Sequence, residues 1–419
     1  MDRAEGKPIT RELFFKSKQQ FTTKNEHVDI IGETAIMTQN ATIAHLFLSF
    51  LRLGATAFGG PAMIAHIREM SVDRNKWLDG KAFKDGVILS QFIPGATAMQ
   101  TAAYVGFRLK GIPGALAAFI GFGLPAFLLM LFLSSLYVKY HSVPHIASLF
   151  SGLQVVVVAI VLNAAYTFGR STLKNFRDEV TALAAAVLYG AGLSPVIVIL
   201  AAAIAGIIFY RNNAILAASV KENSRHFSKQ FLVLLVVLSS ALAGLYLVNF
   251  SLFNLAALMM KIDLFAFGGG FASVPLMLHE IVKVRGWMDT KTFMDGIALG
   301  QVTPGPIVIT STFVGYLIHG IGGAVIASIA VFTPSFVILV FATPFFDKLK
   351  NSPFFARATK GILASFIGLL FFVFVRFAMA VPWDVIRTLL AVAVFAALLI
   401  KMDTLYIVLT SAIISLVVF

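Results

Sequence analysis

Phe58-Gly59-Gly60-Pro61, followed by Trp77, Asp79, Phe83, Asp85-Gly86, Gln91 and Pro94-Gly95, returns later in the same chain. The second copy reads Phe267-Gly268-Gly269-Gly270, then Trp287, Asp289, Phe293, Asp295-Gly296, Gln301 and Pro304-Gly305, about 209 residues further on. The register continues through Gly106/Gly315, Gly111/Gly320, Gly114/Gly323 and Pro125/Pro334. Shared apolar composition would match Leu and Val, but not Trp, Asp and Pro-Gly in step. The chain is an internal duplication.

Of the 419 residues, 58% are hydrophobic and 13% charged, and the mean hydropathy is +0.88. Runs such as Phe231–Phe250 and Ile112–Val138 reach the roughly 20 helical residues that a bilayer core requires. Short alternating segments of the β-barrel kind are absent. The fold class is therefore an all-α polytopic membrane protein. Membrane segments are expected near 43–58, 86–106, 112–138, 146–168, 180–192 and 194–210 in the first repeat. In the second they fall near 252–267, 294–316, 321–345, 361–380, 384–400 and 403–419. The chain thus divides into a polar cytoplasmic tail (1–42), a first repeat of six segments (43–210), a linker with one unpaired transmembrane helix (211–250) and a second repeat (251–419).

Six crossings followed by the unpaired 231–250 would start the second repeat on the opposite face, so the repeats are expected to be inverted. Loop charge supports this: 139–145 carries one lysine, whereas its counterpart 346–360 carries Lys348, Lys350, Arg357 and Lys360. Arg68, Arg74, Lys76, Lys81 and Lys84 form an exception, because six full crossings place loop 68–84 outside. The formal net charge of +13 is spread over interhelical segments, as positive-inside loops require, and does not call for nucleic acid. Without cysteine there is no disulfide or thiol chemistry. His279-Glu280 is not a zinc motif, and neither a nucleophile elbow nor a phosphate loop occurs. The sequence predicts neither an enzyme nor a metal or cofactor site.

The repeated non-apolar residues are the candidates for function. Pro94-Gly95 and Pro304-Gly305-Pro306 interrupt their helices, since proline lacks an N–H and glycine tolerates unusual dihedrals. Helices restart at Ala96–Leu109 and Ile307–Leu317. Their first N–H groups lack internal partners and carry the positive end of the helix dipole. Two such ends converging at mid-membrane would hold an anion with several oxygens, and Thr97 adds a neutral donor. Gly59-Gly60 and Gly268-Gly269 read as a second pair of breaks whose freed backbone lines a cavity, or as close helix contacts. Arg52 and Lys261 each lie six residues before Phe-Gly-Gly; a cation inside a span costs at least about 2.5–3.5 kcal/mol and usually faces a cavity or a counter-charge. Asp263 is close enough in sequence to neutralise Lys261. Glu69, Asp85 and Gln91, with Glu280, Asp295 and Gln301, are candidates for gating or coupling; their plainer reading is as caps and ion pairs. Trp77 and Trp287 suit interfacial anchors.

Phe58-Gly59-Gly60-Pro61, Glu69, Trp77, Asp85 and Pro94-Gly95 resemble the chromate ion transporter family. So does the second copy, from Phe267-Gly268-Gly269 through Glu280, Arg285-Gly286-Trp287 and Pro304-Gly305-Pro306 to Pro334. The resemblance covers roughly 43–419 and is to the family's two-repeat members. It implies a multi-pass plasma-membrane (inner-membrane) transporter of the secondary type that moves chromate out of the cytoplasm, a heavy-metal resistance function. Sulfate, an isosteric dianion, is the natural competitor. The first repeat has Ala96 where the second has Pro306, and Asn75-Lys76 where the second has Arg285-Gly286. The halves are therefore expected to differ in role. A non-transporting scaffold or sensor is the alternative from another class. The bilayer is the expected partner, and a homo-oligomer is compatible with such a chain.

Overall fold

The computed structural model describes residues 41–58, 60–210, 229–346 and 352–419. The tail up to residue 40, Gly59 and the polar part of the linker, 211–228, lie outside the described residues. No strand occurs among the described residues. The first repeat comprises α1 (Ile43–Thr56), α2 (Gly60–Arg68), α3 (Gly80–Phe92), α4 (Thr97–Tyr140), α5 (Pro144–Thr172), α6 (Phe176–Gly190) and α7 (Pro195–Phe209). The unpaired helix is α8 (Lys229–Val248). The second repeat comprises α9 (Phe250–Phe265), α10 (Ser273–Met277), α11 (Thr290–Val302), α12 (Thr310–Ala342), α13 (Pro353–Ala380), α14 (Val385–Leu399) and α15 (Thr404–Val418).

Matched caps start matched helices. The side chain of Asp79 accepts the Ala82 N–H at the head of α3, and that of Asp289 accepts the Thr292 N–H at the head of α11, both at 2.7 Å. Each satisfies one of the donors that a helix start leaves over. Beyond α2 and α10 the chain widens into a π-helical turn, Glu69–Arg74 and Leu278–Val284. The N–H of Asn75 bonds Met70 and that of Arg285 bonds Glu280. Glu280 is therefore the structural mate of Met70, and Glu69 is the mate of His279.

The expected spans 86–106 and 294–316 do not cross as single helices. Each is two helices that double back at the Pro-Gly break, where Gly95 and Gly305 sit at φ +109° and +102°. A Cβ on Gly86 would lie 2.2 Å from the Tyr104 ring, and one on Gly296 2.4 Å from the Phe313 ring. Residues equidistant from a break touch only if the two arms run antiparallel. The same test applies at Phe-Gly-Gly: the His45 ring meets the Trp77 ring edge-on at 5.4 Å, and Lys261 bonds Glu280 at 2.6 Å. Trp77 is thereby buried rather than an interfacial anchor. Each repeat thus opens with two re-entrant hairpins. A further turn follows inside α4 at Lys110-Gly111 and inside α12 at His319-Gly320, where only glycine readily takes φ near +60°. Gly106 and Gly114 then touch backbone to backbone, as do Gly315 and Gly323.

The second part of α4, with α5, α6 and α7, makes four helices after the hairpins, and the second repeat is built alike. The single α8 then sets the repeats in opposite orientations. Loop 68–84 comes back to the face from which α1 enters, so its five basic residues cease to be an exception. Lys283, Arg285 and Lys291 of the matching loop, expected inside by a count of full crossings, instead move to the opposite face and become one. The helices Thr97–Tyr140, Pro144–Thr172, Lys229–Val248, Ile307–Phe345 and Pro353–Ala380 are individually long and apolar enough to cross. The repeats share one core. α5 packs among α13, α14 and α15, while α13 packs among α5, α6 and α7. Glycines make the closest of these contacts: Gly361 lies against the Ala202 carbonyl and Gly368 against that of Ala182.

Candidate functional site

The four hairpin tips meet, and two of the contacts are reciprocal. The N–H of Gly95 donates to the Ala266 carbonyl (3.0 Å), and the N–H of Gly305 donates to the Ala57 carbonyl (3.1 Å). Ala57 and Ala266 are register mates, each capping the first helix of its repeat. A contact from i to j′ repeated as i′ to j is the mark of a two-fold relation, and it ties each Pro-Gly turn to the other repeat's Phe-Gly-Gly turn.

Against these tips lies a cavity of about 420 Å³. Its walls include Ala96-Thr97-Ala98 at the start of α4 and Gly305-Pro306-Ile307 before α12. Between them runs Gly268-Gly269-Gly270, with Phe58, Gln91, Gly300, Gln301 and Thr303 around it. A Cβ on Gly269 would lie 3.5 Å from Thr97 Oγ1, and one on Gly270 3.3 Å from the Ile307 side chain. Consecutive glycines therefore touch both helix starts. Gly268 and Gly269 have φ of +105° and +94°, a conformation that favours glycine. Ser171 and Thr172 at the end of α5 and Thr404 at the start of α15 form a further polar wall. Among the described residues, no charged side chain lines the cavity.

The two helix starts differ in pitch. In α4 the first turn is α-helical, with the Gln100 N–H bonded to the Ala96 carbonyl. Before α12 it is a 3₁₀ turn, with the Ile309 N–H bonded to the Pro306 carbonyl. The tighter turn absorbs the one residue by which the second repeat is shorter here. Both turns leave N–H groups without internal acceptors. Pro306 has none to leave, and those of Gly95 and Gly305 already serve the inter-repeat bonds.

The comparisons identify the family. The profile of the chromate transporter family matches residues 44–207 and 253–416. The chain belongs to that family. It is 46% identical over 375 residues to an uncharacterized transporter of Methanocaldococcus jannaschii, covering 89% of this chain and 93% of the relative. It is 31% identical over 362 residues to a chromate transport protein of Cupriavidus metallidurans, covering 85% and 88%. With a chromate transport protein of Pseudomonas aeruginosa the identity is 33% over 318 residues, 73% of each chain. No solved structure matches the chain. The protein is a multi-pass membrane transporter built from two copies of the family domain.

Of the residues singled out by sequence, Gln91, Thr97, Gly268, Gly269, Gln301, Gly305 and Pro306 line the transporter's cavity. Pro94, Gly95 and Pro304 shape the turns behind it. Gly59 lies outside the described residues, and of Gly60 only its place at the head of α2 is described. The paired cations do not reach the cavity. Arg52 is exposed. Lys261 is engaged by Glu280, whose side chain is only 8% exposed. Asp263 is not its partner: it is fully buried and accepts the Ser335 N–H at 2.7 Å. Glu69 pairs with Arg74 at the surface, and Asp85 is half-buried.

Asp295 is buried and bridged across the repeats. The Tyr137 hydroxyl donates to one carboxylate oxygen (2.9 Å) and the Gln154 amide to the other (2.8 Å). The register mates of these two donors are the apolar Phe346 and Leu363. Sequence reasoning missed Tyr137 and Gln154 because their repeat mates are apolar. Gly270 was visible as the third glycine of its run. Ser171, Thr172 and Thr404 carried no signal beyond being polar at helix ends.

Proposed function

We propose that the cavity at the four tips is the anion site, and that the protein is a secondary transporter carrying chromate out of the cell across the plasma membrane. The observation that carries this reading is the meeting of two helix N-termini and a run of three glycines around one cavity with no charged wall. Oriented peptide N–H groups and dipoles suit a tetrahedral dianion. They bind it without a full opposite charge that would slow release. Sulfate, alike in shape and charge, is expected to compete. The glutamines at 91 and 301 provide side-chain donors on both halves and Thr97 adds one on the first, while the Thr303 hydroxyl is spent on the Gly300 carbonyl at 2.9 Å.

Substrate protection tests the site directly, because the chain has no cysteine of its own. Cysteines placed at Thr97 and Ile307 in liposome-reconstituted transporter should be shielded from a small thiol reagent by chromate and by sulfate. If neither position is shielded while flux persists, the anion binds elsewhere. Orientation has its own test. Positive-inside loops put the N-terminus, 68–84 and 170–177 in the cytoplasm and the C-terminus outside. A cysteine at Lys76 should then react only from the cytoplasmic face; reaction from outside would reject the re-entrant reading of α1 and α2.

A further inference from the structure

We propose that Asp263 is a proton-binding site, set behind the Pro94-Gly95 turn, through which a proton is carried together with the anion. This rests on the anion site proposed above and names the coupling ion for it. Asp263 is fully buried in the last turn of α9. One carboxylate oxygen accepts the N–H of Ser335, the residue after Pro334 inside α12. The other, Oδ1, is buried and has no hydrogen-bond partner among the described residues. Among the described residues no cation offsets it. The elements packed on α9 are α8, α10 and α12, and among the described residues Ser335 is the only group acting on the carboxylate. Lys261 on the same helix is turned to Glu280. An oxygen so placed either carries a proton or leaves a buried charge uncompensated.

The same carboxylate is joined to the cavity wall by two short routes. Three residues along, the Ala266 carbonyl holds the Gly95 N–H. On the other side, Ser335 packs so closely on Gly95 that an added Cβ there would lie 2.3 Å from the Ser335 Cβ. The residue after Gly95 is Ala96, which lines the cavity. The other repeat has the reciprocal hydrogen bond but none of this chemistry, since the mates of Asp263 and Ser335 are Gly54 and Ala126.

A dianion beside an ionised Asp263 would meet a like charge, so anion and proton favour each other's binding. Both then travel in the same direction. A dianion accompanied by one proton carries one net negative charge, which a negative-inside potential still drives outward by about 2.3 kcal/mol per 100 mV.

The test is anion distribution in proteoliposomes, clamped at zero potential, with an imposed pH step of about one unit. One proton per anion predicts about a tenfold chromate or sulfate gradient in the wild type. Asp263→Asn, which is fixed neutral, should equilibrate the anion with no such gradient, and Asp263→Glu should restore it. A pH dye should count one proton per anion in the wild type and none in Asp263→Asn. Retention of the tenfold gradient by Asp263→Asn would assign the carboxylate to holding Ser335 alone. Loss of the gradient in Asp295→Asn with its retention in Asp263→Asn would move the proton site to the Tyr137–Gln154 cluster. If the Asn variant is not recovered folded, the wild type decides: no proton counted, or accumulation driven by a sodium step instead, overturns the proposal. Those outcomes leave the anion site standing. Wild-type liposomes that move neither anion under any gradient would instead overturn the transport reading itself.

Discussion

The two Pro-Gly turns have the same backbone and different surroundings. Both place glycine near φ +100°, both donate that glycine's N–H across the two-fold relation, and both open a helix toward the cavity. Behind Gly95, however, stand Ser335, Gln100 and, one step further, Asp263. Behind Gly305 stands Ala126, with Gly54 in the place of the acid. Gln100 donates to the Pro94 carbonyl and keeps a buried, unpartnered oxygen, whereas its mate in the second repeat is Ile309. Duplication preserved the hydrogen bonds that hold the tips together and let the side chains around them diverge. Polar chemistry gathered behind one turn, and plain packing remained behind the other.

The largest effects should come from filling the glycines. Valine at either 95 or 305 is expected to abolish transport, because a β-branched side chain at this φ is strained and crowds the tips. Alanine separates the turns. Gly305→Ala meets only Ala126, at 3.1 Å, and should cost the roughly 1–3 kcal/mol of backbone strain. Gly95→Ala collides with Ser335 and Gln100 as well, adding overpacking of roughly 1–3 kcal/mol. Folded yield in detergent should therefore fall further for Gly95→Ala. Equal yields would mean that Ser335 moves aside freely.

Next come the two cations, whose matched positions suggested a shared role. Lys261→Gln leaves the buried Glu280 without its partner and should lower stability by roughly 1–3 kcal/mol. Arg52→Gln, at an exposed position with no ion pair among the described residues, should stay within about 0.5 kcal/mol. Thermal unfolding of the two variants measures the difference; equal shifts would restore the symmetric reading. Asp295→Leu belongs to the same size class, since it strands the Tyr137 hydroxyl and the Gln154 amide at roughly 1–3 kcal/mol.

The smallest effect is expected at Pro306. Its φ of −78° nearly equals the −77° of Ala96 at the other helix start. Pro306→Ala should therefore keep the geometry and lose only the entropic preference, about 0.4–1 kcal/mol. A large loss of flux in this variant would show that the proline's missing N–H, rather than its shape, matters to the site.

The sequence determined the duplication, the helical membrane class, the breaks and the caps. Each of these is local. Proline withholds a donor, glycine admits positive φ, and an aspartate one residue before a helix can reach its first turn. Thr97, Gly269 and Gly305 could be picked out for the same reason. Whether a broken segment continues across the bilayer or doubles back was not written locally. That depended on Gly86 giving room to Tyr104 and on Trp77 finding His45. The partners of the charges were equally remote: Lys261 met Glu280 rather than Asp263, and Asp263 met Ser335, 72 residues further along the same repeat. Asp295 took its donors from α4 and α5 of the other repeat. Burial and pairing belong to groups brought together by packing, so only the tertiary structure could decide which carboxylate guards an ion pair and which stands alone behind the cavity.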